Sequence, residues 1–392
     1  METSLSGLRA MHASFEIADA SSVAFARRGA NDAAQKGALN ETDQGRVALI
    51  VTEAATNILK HAQHGELLVR VLPADAAGTL APGVEIIAID KGPGMQDVGL
   101  AFRDGSTTAG SPGTGLGAIR RLSEEVSVYS QPRLGTVLRA VVRSRASGDR
   151  AAAGAMRAAA GTDIGGICVP YPGESVCGDA WGIEADQHGL TITVADGLGH
   201  GPDAHVASAG AVDVARRRAG RSPAALMELA HGALRSTRGA AVAIARLDLA
   251  RSQLEFAGTG NISAAIFNAG RPTLIGGGSS RGTSVASSST SVSVSSSDGA
   301  RDSWQLTSRN GIVGHTMRDS QEFAVPWPRN ALLILHSDGI GTRWDLGAYP
   351  GLHLQPAVMI AAVLYRDFSR RRDDATVVVV KADQQQSFMG QT

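Results

Sequence analysis

The most regular apolar pattern in the chain runs from Glu41 to His64. Val47, Ile50, Val51, Ala54, Ile58 and Ala62 recur at three- and four-residue steps, so the spacing predicts one helix with a single buried face. Glu53 and Asn57 lie four apart on that helix, one turn from each other. Helical spacing also covers residues 15–35 after a short strand-like start. Two strand-like runs follow, Glu66–Leu72 and Val84–Asp90. After a Gly/Ser/Thr-rich loop, the pattern predicts a helix over Ala118–Glu125 and a closing strand at 134–142.

The second half reads differently. Thr191 to Ala195 is a short β-branched strand ending on Asp196, and Gly197, Gly199 and Gly201 then allow a tight turn. A helix is expected over Pro202–Arg217, with Val206, Ala209, Val212, Val214 and Ala215 as its apolar face, and another over residues 223–236. Residues 240–267 read as three strands of one antiparallel meander. The strongest strand of the chain, ALLILHSDGI (331–340), delivers Asp338-Gly339. A helix near 355–368 precedes Asp373, Asp374 and a run of four valines.

Two stretches carry no periodicity that could close a core. Residues 144–163 are rich in Ala, Gly, Ser and Arg and read as a linker. Residues 276–300 are a Ser/Gly-rich, low-complexity insertion. The expected organisation is therefore α+β in two domains, 1–143 and 164–384, with a tail at 385–392.

Composition narrows the function classes. The 392 residues hold 37 basic and 37 acidic side chains, so no charge excess argues for nucleic acid or an anionic membrane as the partner. Two cysteines make no disulfide framework. The first residues lack the order of a signal peptide, and no apolar run approaches the ~20 residues needed to span a bilayer. The expected location is the cytoplasm.

Three motifs give the first half its chemistry. They are E-A-A-T-N (53–57), D-K-G-P-G (90–94) at a strand end, and G-T-G-L-G (113–117) leading into a helix. Glycines at a helix N-terminus expose backbone N–H groups to phosphate. The run fits neither a Rossmann fingerprint nor a P-loop. In order and spacing the three motifs resemble the boxes of the GHKL (Bergerat-fold) ATPases over residues 15–143, in the compact form of the RsbT-like serine kinases and anti-sigma ATPases. The resemblance implies an α/β sandwich with a mixed sheet under helices, and ATP with Mg2+ as cofactors. It assigns Asn57 to magnesium, Glu53 to general base for an attacking hydroxyl, and Asp90 to the adenine amino group. Gly92 and Gly94 would lie under the base, Gly113, Gly115 and Gly117 would wrap the phosphates, and Thr136 would sit near the adenine. His61 stays open between a structural and a phosphate-contacting role.

The second half places four acidic sites at strand ends: Asp179, Asp196, Asp338 and Asp373. Buried like charges repel, so solvent or cations must separate them. Oxygen ligands without clustered His or Cys point to magnesium or manganese rather than zinc. The series G-D, D-G-x-G-H-G, S-D-G and D-D-A-T resembles the SpoIIE/RsbX branch of metal-dependent serine/threonine phosphatases of the type 2C class over residues 164–382. That implies an α-β-β-α sandwich and two-metal hydrolysis with two Mn2+ or Mg2+. Asp196 would bridge the metals with the Gly197 carbonyl on one, and Asp338 and Asp373 would hold the second. Asp179 would support the site directly or through water. Asp374 is the alternative to Asp373. His200 either protonates the leaving oxygen or is a surface turn residue.

Together the resemblances imply a bifunctional partner-switching enzyme that phosphorylates and dephosphorylates Ser/Thr on a STAS-domain antagonist protein. The setting would be sigma-factor or stress signalling, with a sigma factor or an upstream sensor as further partners. The other reading is a phosphoserine phosphatase whose first half binds nucleotide as an anti-sigma or sensor module without kinase activity.

Overall fold

The computed structural model describes residues 11–74, 81–101, 115–144, 162–268, 273–275 and 303–382. Gly113, most of the 144–163 linker, the 276–300 insertion and the 385–392 tail lie outside the described residues. Among the described residues no helix is long and apolar enough to cross a membrane.

The first domain comprises β1 (Ala13–Ile17), α1 (Ala20–Lys36), α2 (Glu41–His61), β2 (Gly65–Leu72), β3 (Gly83–Asp90), a short α3 (Val98–Ala101), α4 (Gly115–Leu122), β4 (Glu125–Gln131) and β5 (Gly135–Arg143). Local signals start both long helices. Asp19 and Ser22 form a reciprocal capping box on α1, and Asn40 accepts from the Asp43 N–H at 2.9 Å on α2. Val47, Ile50, Val51, Ala54 and Ile58 are buried on α2 as the spacing requires. They pack on Leu67, Val69, Ile86, Ala88, Leu138 and Ala140.

The strand order is β1-β2-β3-β5-β4, and every pair is antiparallel rather than mixed. The β4–β5 hairpin lays β5 beside β3 in the opposite direction, which leaves no parallel neighbour. Helix α4 begins at Gly115, three residues before the expected start, and stops at Leu122, so that Glu125 opens a strand. Glycine's poor helix propensity is overridden here by close packing against α2.

The second domain holds β6 (Thr162–Val169), β7 (Asp179–Ala185), β8 (Gly189–Gly197), α5 (Pro202–Arg217), α6 (Pro223–Ala233), β9 (Ala240–Asp248), β10 (Gln253–Thr259), β11 (Ser263–Phe267), β12 (Thr273–Ile275), β13 (Ser303–Leu306), β14 (Glu322–Pro326), β15 (Leu332–His336), α7 (Ala357–Phe368) and β16 (Ala375–Ala382). Strand β6 takes in residues 162 and 163, which the sequence reading gave to the linker. Two sheets form, β12-β14-β10-β9-β8-β7 and β13-β11-β15-β16-β6. Their inner faces enclose Trp181, Val194, Phe256, Ile266, Leu333 and Val378. Helices α5 and α6 cover the outside of the first sheet, and α7 covers the second. This is the expected α-β-β-α sandwich.

Two details correct the sequence reading. Strand β11 leaves the meander and pairs with β13 and β15 in the other sheet, where the four-valine strand β16 lies between β15 and β6. On α5 the buried stripe is Ala204, Ala207, Ser208, Ala211, Val212 and Ala215, while Val206 is exposed. Small residues win that face because the helix lies close on β7 and β8.

Helix α7 joins the domains. Ten consecutive residues, Ala357 to Arg366, are buried, so it has no water-facing side. One side packs on β6 and β16. The other meets Leu68, Ile87, Ile89, Tyr129 and Val137 of the first domain's sheet. That sheet is thus covered on both faces, which explains the near-continuous apolar sequence of β3.

A buried ionic group lies in the same contact. The Glu85 carboxylate accepts from Arg70 Nη2, from Arg139 Nε at 2.6 Å and from His12 Nε2 at 3.3 Å. Burial works to raise the Glu85 carboxyl, and the two guanidiniums outweigh it, holding it well below the ordinary value. Arg70 reaches the second domain through the Gly166 carbonyl, at 3.4 Å, and the Trp181 ring. His12 donates its backbone N–H to Cys168 O at 2.7 Å. Burial first, and then the Arg70 charge, push the His12 ring down to about 4.

His12 therefore stays neutral in the fold while the unfolded chain protonates near 6.5. Stability is complete above that value and is lost as pH falls through the window from 6.5 to 4. The advantage of wild type over His12→Gln should shrink by about 2–3 kcal/mol between pH 7.5 and 4.5, read from urea unfolding at both values. An advantage that does not change with pH would exclude a buried neutral His12.

Candidate active sites

The first site forms where α2, α4 and the ends of β3 and β5 meet. Helix α2 holds Glu53 and Asn57 on its half-buried side. Gly115 opens α4 directly against them. A Cβ there would lie 3.3 Å from both side-chain ends of Asn57 and from Glu53 Oε2. A carboxylate, an amide oxygen and the N–H groups of a helix start thus share one place, as a phosphate-bearing ligand with a divalent cation requires. Gly117 is buried in the same first turn.

Asp90 ends β3. Its Oδ1 accepts from Gly92 N at 2.8 Å and Thr136 N at 3.2 Å, which leaves Oδ2 to meet an amino group. Burial raises this carboxyl against those two bonds. Thr136 contributes its main chain, while its hydroxyl lies 2.9 Å from Ser130 Oγ. Gly94 has φ +68°, and a Cβ there would come within 2.1 Å of Gln131 O. Glycine is obligatory at that turn. His61 is exposed near the end of α2.

The second site is built by register. Strands β7 and β8 pair Asp179 directly with Asp196. Asp338 follows β15 and Asp373 and Asp374 precede β16, so the opposite sheet supplies the remaining acids. Ser337, which sequence reasoning passed over, ties the sheets together. Its Oγ donates to Asp179 Oδ2 at 2.6 Å and accepts from Thr376 N at 3.0 Å. Its position beside Asp338 in S-D-G was the available signal. Asn261, also missed, donates to Asp338 Oδ2 at 2.7 Å.

Asp374 is buried and accepts from Tyr171 N at 2.8 Å, whereas Asp373 is half-buried and accepts from Asp374 N at 2.9 Å. Both members of the pair lie close enough for their charges to help raise the Asp196 carboxyl. At Gly197 a Cβ would fall 1.9 Å from Ala204 O, so no other residue allows α5 to start there. His200 lies 3.0 Å from Glu174 Oε1 and stacks on Tyr171 at 4.8 Å. It is thereby oriented rather than free in a turn.

Burial, then the charges of Asp179 and Asp338, push the Asp196 carboxyl up to about 9. Burial raises Asp179 to about 8 against its bond from Ser337. Asp179 Oδ1 and Asp374 Oδ2 are buried with no hydrogen-bond partner. Buried acceptors without donors, among mutually repelling carboxylates, fit a hard cation. Among the described residues no group of three His, Cys, Asp or Glu is already closed around one point. A cation would have to draw the carboxylates inward.

Comparison with known proteins finds relatives of two kinds. Residues 17–142 match the family model of the histidine kinase-like ATPase domain. The chain is 34% identical over 119 residues to the serine/threonine-protein kinase RsbT of Bacillus subtilis, covering 30% of this chain and 86% of RsbT. It is 32% identical over 90 residues to the phosphoserine phosphatase RsbX of the same organism. That match covers 23% of this chain, and the chain spans 45% of the length of RsbX. A crystal structure of RsbX with magnesium superposes with a TM-score of 0.43 at 20% identity, covering 56% of this chain and 94% of that one.

Without a cation, Asp179 and Asp196 hold protons in the fold that the unfolded chain releases near 3.9. Their folded values are raised, so stability falls as pH climbs from about 4 through 8–9. In EDTA the melting temperature should drop by about 5 °C or more between pH 6 and 9, and less in Asp196→Asn. Mn2+ should restore it in wild type. A wild-type melting curve indifferent to both pH and Mn2+ would remove the acidic centre.

Proposed function

Because the chain belongs, through residues 17–142, to the histidine kinase-like ATPase family that includes the kinase RsbT, we propose that its first domain is a protein serine/threonine kinase and its second the opposing phosphatase. The substrate we propose for both is Ser or Thr on a STAS-domain antagonist protein, in partner switching that controls a sigma factor or a stress response. The observation that carries this reading is that one chain assembles two acidic centres suited to opposite chemistry. One joins Glu53 and Asn57 to a glycine helix start, and the other gathers carboxylates from two facing sheets.

In the first centre ATP with Mg2+ would supply the phosphoryl group and charge neutralisation. Glu53 takes the proton of the incoming hydroxyl at its Oε. Asn57 holds the cation through its amide oxygen, and the amides of the α4 start cradle phosphate. Asp90, fixed by Gly92 and Thr136, orients the base. In the second centre two Mn2+ or Mg2+ would supply Lewis-acid charge and a nucleophilic water at neutral pH. Asp196, Asp179, Asp338 and Asp373 or Asp374 would hold the cations. Ser337 and Asn261 fix two of these carboxylates, and His200, held by Glu174 and Tyr171, stands ready to protonate the leaving oxygen.

The test uses a phosphorylated STAS protein from the same genome. Wild type with Mn2+ should release phosphate, and Asp196→Ala should lose at least about 100-fold. With ATP, wild type should phosphorylate the unmodified partner. Glu53→Ala should still bind ATP and lose about 100-fold or more in transfer. ATP binding without transfer by wild type would reduce the first domain to a nucleotide-binding module. Normal metal binding without phosphate release would overturn the substrate class.

A further inference from the structure

The segment that carries Asp373 and Asp374 is held by the other domain. Between α7 and β16 the chain passes through Ser369 to Asp374. Arg371 in that stretch has φ +54°, a left-handed backbone that a side chain such as arginine adopts at a cost. Its guanidinium crosses to the first domain and donates to Glu66 Oε2 at 2.5 Å. Glu66 is buried. Its Oε1 accepts from Tyr365 Oη at 3.0 Å and from Ser14 Oγ, and Arg371 also lies over the Tyr365 ring at 5.3 Å. The acceptor is therefore rigid, and it belongs to β2.

The same segment is stitched to the loop of Asp338. Arg370 N donates to Gly339 O at 2.8 Å, Gly341 N donates to Phe368 O at 2.8 Å, and Ile340 bridges Ser369. Any shift at Arg371 is thus passed to Asp338 as well as to Asp373, two residues on.

We propose that Glu66 is a positioning residue for the phosphatase centre. It locks Arg371 in its left-handed conformation and so sets the carboxylates of Asp338, Asp373 and Asp374 for cation binding, a contribution from the first domain to the second domain's site. The inference rests on reading those acids as a metal centre. Groups that orient metal ligands from outside typically govern affinity by 10- to 100-fold, and Glu66, which touches none of the acids and acts through Arg371, belongs at the lower end of that range.

The experiment titrates the nucleotide-free full-length chain with Mn2+ by calorimetry. It also follows backbone hydrogen exchange at residues 369–374 in EDTA. Glu66→Gln should weaken Mn2+ binding about 10-fold or more and speed exchange in that segment, with ATP affinity unchanged as the control for folding. Arg371→Ala, at an exposed side chain, should do the same. The double variant should be no worse than either single one, and Arg371→Lys should recover part of the loss. If Glu66→Gln loses ATP binding, Arg371→Ala decides alone. Mn2+ affinity within twofold of wild type with unchanged exchange, or fully additive losses, would overturn the positioning role. Failure of wild type itself to bind Mn2+ would instead sink the metal centre, and this inference with it.

Discussion

A helix with no polar side has to be covered on every side, and α7 is such a helix. Ten buried residues in a row leave no orientation in which it could lie on a surface. The second sheet of the sandwich covers half of it, and the first domain's sheet covers the rest. From this one requirement follow the stack of layers, the double burial of β2 and β3, and the fixed relation of the two candidate centres. Separated, each domain would expose an apolar face of the kind that soluble surfaces rarely carry.

That contact is not apolar throughout. Glu85, Arg70 and Arg139 place charge inside it, with the neutral His12 ring on the same carboxylate, and a missing partner would leave an uncompensated ion. Apolar contact makes up most of the interface, and the ionic group, whose pairs lie within the first domain's sheet, reaches across through Arg70 to Gly166 O and Trp181 and through the His12 N–H to Cys168 O. The acidic centre of the second domain works in the other direction. Burial and mutual repulsion raise the carboxyls of Asp179 and Asp196, so ionising both without a counter-charge works against the fold there.

Much of this was legible in the sequence. The single-faced spacing of α2 found a helix whose burial matches at Val47, Ile50, Val51, Ala54 and Ile58, while Ala62 falls past its end at His61 as a half-buried cap, and the Asp-Gly endings marked Asp196 and Asp338 correctly as residues delivered by strands. The α-β-β-α arrangement followed from the resemblance. What escaped had physical causes. Alternation cannot say which sheet a strand joins, so β11 was assigned to the wrong one. Helical period alone could not choose between Val206 and the alanine stripe of α5, because the choice depends on how closely β7 and β8 approach. Ser337, Asn261 and Glu66 act through partners 158, 77 and 305 residues away, and no local pattern encodes such pairings.

The order of the chain gives the interface a temporal side. The first domain's sheet is complete at Arg143, but the helix that covers its second face starts at Ala357. At ribosomal rates of 5–20 residues per second that gap lasts about 10 to 40 seconds. For that interval the nascent domain carries Leu68, Ile87, Ile89 and Val137 uncovered. A cell making this protein must shield a finished, sticky half while the rest is translated. The order of translation, and not only the folded contacts, thus sets how long that apolar face meets water.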